Sequence, residues 1–156
     1  MKPPENIHRF NVTALELFRR LYDAFPDPIE LNSAHAGVAA SPADSTDETY
    51  WAYRGNARNV VTWLAQEGFL RYESQDKTGK FYDVRLTLKG LTVLGHVPTA
   101  VKDGGRKSPV IDSIKRVLAS GAEKAGTEAV KSIVGAVFKL SLQYGMSGGQ
   151  SVGVIA

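Results

Sequence analysis

Apolar residues recur at helical spacing from the start of the chain. Ala14, Leu17, Phe18, Leu21 and Phe25 share one face, with Leu15 and Tyr22 on its flanks and Glu16, Arg19, Arg20 and Asp23 opposite. Thr13 and Glu16 stand at capping-box spacing. The pattern therefore predicts a helix from about Thr13 to Pro26-Asp27-Pro28, where neither proline supplies the N–H that continuation needs. Ile29-Glu30-Leu31 predicts a short strand. Residues 33–47 are small and polar, and suit a short helix at about 33–40 that Gly37 weakens. Thr46 or Asp47 then caps a helix whose Tyr50, Tyr53, Ala57, Val60, Val61 and Leu64 form a broad inward face. Gly55 leaves open whether this is one helix or two.

The period changes after Gly68. Leu70–Ser74 and Phe81–Leu86 flank a turn at Asp76–Gly79, which predicts a β-hairpin. Tyr82, Val84, Leu86 and Leu88 are expected to point inward, with Asp83, Arg85 and Thr87 outward. Leu86–Leu91 then closes the unit with a short helix. Residues 98–108, with Pro98, Gly104, Gly105, Lys102, Arg106 and Lys107, read as a basic flexible linker. Ser108-Pro109 starts a helical segment with apolar positions Ile111, Ile114, Leu118, Gly121 and Ala125, then Val130, Ile133, Val137 and Leu140. Small residues between Gly121 and Ala129 allow either close helix approach or a hairpin break. Residues 145–156 read as a glycine-rich tail.

Charge adds to this picture. The chain carries a net +3 and no cysteine, which excludes disulfides and thiolate metal sites. Residues 1–53 hold four Lys/Arg against eight Asp/Glu, whereas residues 54–107 hold ten against five. Basic charge thus begins with the second half of the long helix and persists through the hairpin, as phosphate contacts require. On that helix Gly55, Asn59, Thr62, Trp63 and Gln66 are expected outward, with Arg54 and Arg58 on one flank and Asn56 on the other. Asn and Gln can pair with adenine and Arg with guanine. The same residues are also ordinary ones for a solvated helix face. Trp63 is expected to pack on the hairpin, to seal a contact with the C-terminal segment or to stack on a partner, with the two structural options ahead of the third.

The phrase Trp63-Leu64-Ala65-Gln66-Glu67-Gly68-Phe69-Leu70, the hairpin, and Leu86-Thr87-Leu88-Lys89-Gly90-Leu91 together resemble bacterial winged helix-turn-helix regulators. They are similar in style to the antibiotic-resistance (MarR-type) and phenolic-acid (PadR-type) repressors. The resemblance covers about residues 10–97. It implies a winged helix that reads double-stranded DNA, although winged helices also dock proteins.

The expected fold is α+β: a winged helix, with a three-helix core and a hairpin wing, over 1–97. A linker at 98–108, helices at 109–144 and a tail at 145–156 complete the chain. The expected DNA contacts are Arg54, Asn56, Arg58, Asn59, Thr62 and Gln66 on the helix and Lys77 and Lys80 on the wing. Ile111, Ile114, Leu118, Val130, Ile133 and Val137 are expected to join two copies, since reading two half-sites needs a dimer. The alternative is an adaptor whose winged helix docks protein and whose C-terminal segment anchors to an assembly or a membrane surface. Gly145-Met146-Ser147-Gly148-Gly149 matches a nucleophile-elbow pattern, but no acid or histidine follows it. His8, His35 and His96 lack metal-ligand spacing. No enzyme activity, cofactor or metal is expected. No apolar stretch resembles a leader or a spanning helix, so a cytoplasmic location is expected.

Overall fold

A computed structural model describes residues 3–97, 108–121 and 126–155, with side chains through Tyr144. Helix α1 (Glu5–Ala24) begins two turns before the expected cap, directly after Pro4. Nothing between Pro4 and Thr13 breaks a helix, and proline is well placed at a helix start. Thr13 is therefore interior, and its hydroxyl donates to the Arg9 carbonyl at 2.9 Å rather than capping. Every residue from Asn11 to Phe18 is buried. That includes Glu16, expected outside. Its carboxylate accepts from Arg19 and Arg20, each at 2.6 Å, so the buried charge is matched.

β1 (Ile29–Asn32) leads into α2 (Ser33–Ala40), whose cap is the Asn32 side chain accepting from the His35 N–H at 3.1 Å. Gly37 has a packing reason. A Cβ there would strike the Tyr53 carbonyl and stand 2.9 Å from the Ala57 Cβ, so only glycine lets α2 lie on the next helix. That helix, α3 (Asp47–Gln66), runs unbroken through Gly55, and the Thr46 hydroxyl caps it by accepting from the Thr49 N–H. Tyr53, Ala57, Val60, Val61 and Leu64 face the core. Gly68, with φ +83°, turns the chain out of α3.

β2 (Leu70–Arg71), β3 (Ser74–Gln75) and β4 (Lys80–Leu86) complete a four-stranded antiparallel sheet in which β4 pairs with the other three. Ile29 stands opposite Val84 but Leu31 opposite Phe81, so β4 carries one extra residue. Asp83, with φ +56°, marks that bulge. The bulge shifts the alternation. Phe81 and Val84 are both buried, whereas Tyr82, expected inward, is half-exposed. Leu88, also expected inward, is 79% exposed at the start of α4 (Leu88–Gly95), which Thr87 caps.

Among the described residues the C-terminal segment holds helices α5 (Val110–Ser120) and α6 (Thr127–Ile155). Gly121 and Gly126, at φ +85° and +89°, end the one and precede the other. The two pack on each other, on α1 and on α4. These contacts place the expected association stripe inside the chain. Ile111, Ile114, Val130 and Val137 are buried within the chain, and Leu118 and Ile133 pack partly against the same core. The face that seemed to need a partner finds it in α1 and α4. Lys115 confirms the seating with an ion pair to Asp23 at 2.8 Å, and the Val110 N–H donates to the His96 carbonyl at 2.9 Å. The linker expected at 98–108 lies outside the described residues except for Ser108, as do Ala122 and Ala125. α6 continues through Ile155, into the stretch expected as a tail. No helix among the described residues is long and apolar enough to cross a membrane.

The element order α1-β1-α2-α3-β2-β3-β4 is compatible with a winged-helix layout, to which α5 and α6 are added against α1 and α4. Ile114→Ala should lower unfolding stability by about 2–5 kcal/mol in a denaturant titration. Light scattering should show the folded variant at the wild-type stoichiometry. A change of stoichiometry without loss of stability would return these helices to an association role.

Candidate nucleic-acid interface

A helix advances about 100° per residue, which sorts α3 into two arcs. Its buried arc is the one that holds Tyr53, Ala57, Val60, Val61 and Leu64. The opposite arc runs from Arg54 through Arg58, Trp51, Thr62, Gly55, Gln66 and Asn59 to Trp63 and Asn56. Trp51, Gly55, Asn56, Arg58, Asn59 and Gln66 are exposed, and Arg54 and Thr62 are half-exposed. Six of the eight expected contact residues therefore share this arc. The Thr62 hydroxyl donates to the Asn59 carbonyl at 3.1 Å and the Asn56 amide to the Ala52 carbonyl at 2.7 Å. Both short side chains are thus partly engaged by their own helix.

The hairpin turn owes its shape to Asp76. One carboxylate oxygen accepts from the Thr78 hydroxyl at 2.6 Å, the Thr78 N–H at 2.8 Å and the Lys80 N–H at 3.1 Å. The other accepts from the Tyr82 hydroxyl at 2.9 Å. These bonds, the Thr78 hydroxyl foremost, hold the Asp76 carboxyl well below the ordinary carboxylate range. The same Asp76 bond, with partial burial, pushes the Tyr82 phenol up. Gly79, at φ +90°, closes the turn, and the Ser33 hydroxyl donates to its carbonyl at 2.8 Å.

Arg58 joins helix to turn. Its Nε donates to Gln75 Oε1 at 3.0 Å and one terminal nitrogen to the Asp76 carbonyl at 3.4 Å. A guanidinium has five N–H groups, so donors remain for another ligand. Lys77 is exposed on the same turn. Lys80 is half-exposed on β4 and lies 3.8 Å from Glu30, which offsets part of its charge. Of the two wing lysines, only Lys77 belongs to the tip.

The other flank of α3 is a cleft of about 400 Å³ against the start of α1. Asn56, Asn59, Val60 and Trp63 line it from α3, and Ile7, Arg9 and Phe10 from α1. Trp63 packs as expected on the C-terminal segment, 5.6 Å from the Phe138 ring and edge-on to Phe10 at 5.2 Å. Helical spacing alone did not single out Trp51. It is 62% exposed, with Tyr50 edge-on at 5.2 Å and the Arg54 guanidinium 5.7 Å from its ring centre. Its position seven residues before Arg58 was the available signal. No protein-family model matches the chain, and neither a curated protein nor a solved structure matches it.

The Asp76–Tyr82 pair predicts a pH window. Asp76 has a depressed folded pKa, so its contribution is complete above about pH 4 and is lost as pH falls through the folded value. Tyr82 has a raised one, so its contribution is complete below about pH 10 and is lost as pH rises through the folded value. Asp76→Asn should bring the Tyr82 phenol down toward about 10, read from its ring resonance in an NMR titration. A resonance that titrates at the same pH in both proteins would show that Asp76 does not control it.

Proposed function

We propose that this chain binds double-stranded DNA as a winged-helix regulator, with the outward arc of α3 in the major groove and the hairpin turn against an adjoining phosphate strand. The observation that carries this is the Arg58 link to Gln75 and Asp76. A reading helix and a wing must meet the duplex together, and a charged strut between them fixes their relative position before binding. Arg54, Arg58 and Lys77 supply the positive edge, while Asn59 and Gln66 supply amides suited to base edges. Lys80, tied to Glu30, and Asn56, at the cleft, contribute less directly. No catalytic step is part of this function. The stripe expected to join two copies packs within the chain, so the proposal is stated for one chain on one duplex.

A protein-docking adaptor is the second reading, favoured by one observation. The cleft beside α3 is walled by Ile7, 44% exposed, and Trp63, 39% exposed, which suits an apolar side chain of a protein partner.

Salt separates the two. Phosphate contacts release counterions, so affinity for a duplex should fall steeply with salt. Arg54→Ala/Arg58→Ala should weaken binding and reduce the slope of log affinity against log salt by about 2. Wild-type affinity and slope in that double variant would remove α3 from the interface. An adaptor would show no steep salt dependence at all.

A further inference from the structure

Gly55 occupies the middle of the exposed arc of α3, and the fold gives no reason for it. Gly37 and Gly90 sit where a Cβ would strike backbone, and Gly68 and Gly79 hold positive φ. A Cβ on Gly55 would meet nothing within 4 Å, as at Gly95 and Gly135, and its φ is not in the left-handed region. Gly55 alone of the three stands beside an exposed tryptophan and two arginines on one helix arc. A glycine inside a helix is disfavoured relative to alanine because it loses more backbone freedom on folding. Its absent side chain leaves a notch on the helix surface. Trp51 stands one turn before it and Asn59 one turn after, with Arg54 and Arg58 along the edge that leads to the wing.

The walls of the notch are set in advance. Trp51 is exposed yet held by two contacts, the Tyr50 ring edge and the Arg54 guanidinium. Arg58 is fixed by Gln75 and Asp76. A flat apolar ring beside two cations suits a sugar–phosphate strand. The ring covers the deoxyribose face, and the guanidinium groups meet the phosphates on either side. Such a strand must come close to the helix backbone, and a Cβ at position 55 would stand in its way. We infer that Gly55 and Trp51 form a close-approach seat for one sugar–phosphate strand of DNA. This rests on the DNA-binding reading above and adds to it a contact that reads no bases.

The test is fluorescence anisotropy with two labelled duplexes of unrelated sequence at low salt, paired with thermal melts, on wild type, Gly55→Ala and Gly55→Gln. Gly55→Ala should raise the melting temperature by about 2–4 °C, because the new methyl meets open space. It should also lower the affinity for both duplexes by about tenfold, and Gly55→Gln by more. Stability and affinity thus move in opposite directions, which a structural role for glycine would not produce. Wild-type binding matched by both variants overturns the seat and leaves DNA binding intact, as does a loss for one duplex only, which would mean base reading. A melting temperature lowered by Gly55→Ala also overturns it, since the fold then needs the glycine. Absence of duplex binding by the wild type overturns the seat and the DNA reading together.

Discussion

The burial of α1 on every side is the constraint from which the rest of this structure follows. Eight consecutive residues, Asn11 to Phe18, are shielded from solvent. A helix apolar on one stripe needs one partner surface, whereas one buried all round needs several. α2, α3, β4, α4, α5 and α6 all pack against α1. The position of Glu16 makes sense only in this setting. It lines a cleft shared by the end of α2, Tyr53 and the end of α5, and the two arginines that follow it on α1 supply the charge that burial demands.

This arrangement decides which surfaces remain open. The apolar stripe of α5 and α6 is used inside the chain, and Phe138 extends that packing onto Phe10, Trp63 and Phe69. Trp63 at the edge of the outward arc of α3 shares that packing, whereas Trp51, Gly55, Arg58 and Gln66 are exposed among the described residues. At the wing turn, backbone and side-chain hydrogen bonds to Asp76 make a defined shape, and Arg58 fastens it to α3. Helix and turn therefore present one continuous surface whose charged groups come from both.

Local rules with local causes were legible in the sequence. The α2 span, the Thr46 cap, the inward face of α3 and the hairpin all follow from short-range spacing. The start of α1 was not, because Thr13 and Glu16 satisfy a capping pattern while the residues before them also tolerate helix. The alternation on β4 failed at one residue. Asp83 in a left-handed conformation inserts an extra step that no two-residue period reveals. The largest difference concerns Ile111, Ile114, Val130 and Val137. Periodicity shows that such a stripe must be buried, but it does not show against what. For the candidate site, the arc from Arg54 to Gln66 followed from helical phase alone. The Arg58 link to Gln75 and Asp76 and the role of Trp51 depend on contacts across 17 residues or on exposure, neither of which spacing encodes.

The central proposal is that the outer arc of α3 and the hairpin turn together form the surface that meets DNA. Amide chemical-shift mapping by NMR, with duplex DNA added to the 16.9 kDa chain, addresses this directly. Perturbations should concentrate at Trp51 to Gln66 and at the turn from Gln75 to Lys80, with α5 and α6 quiet. Shifts confined to α5 and α6, or a spectrum unchanged by DNA, would contradict the account.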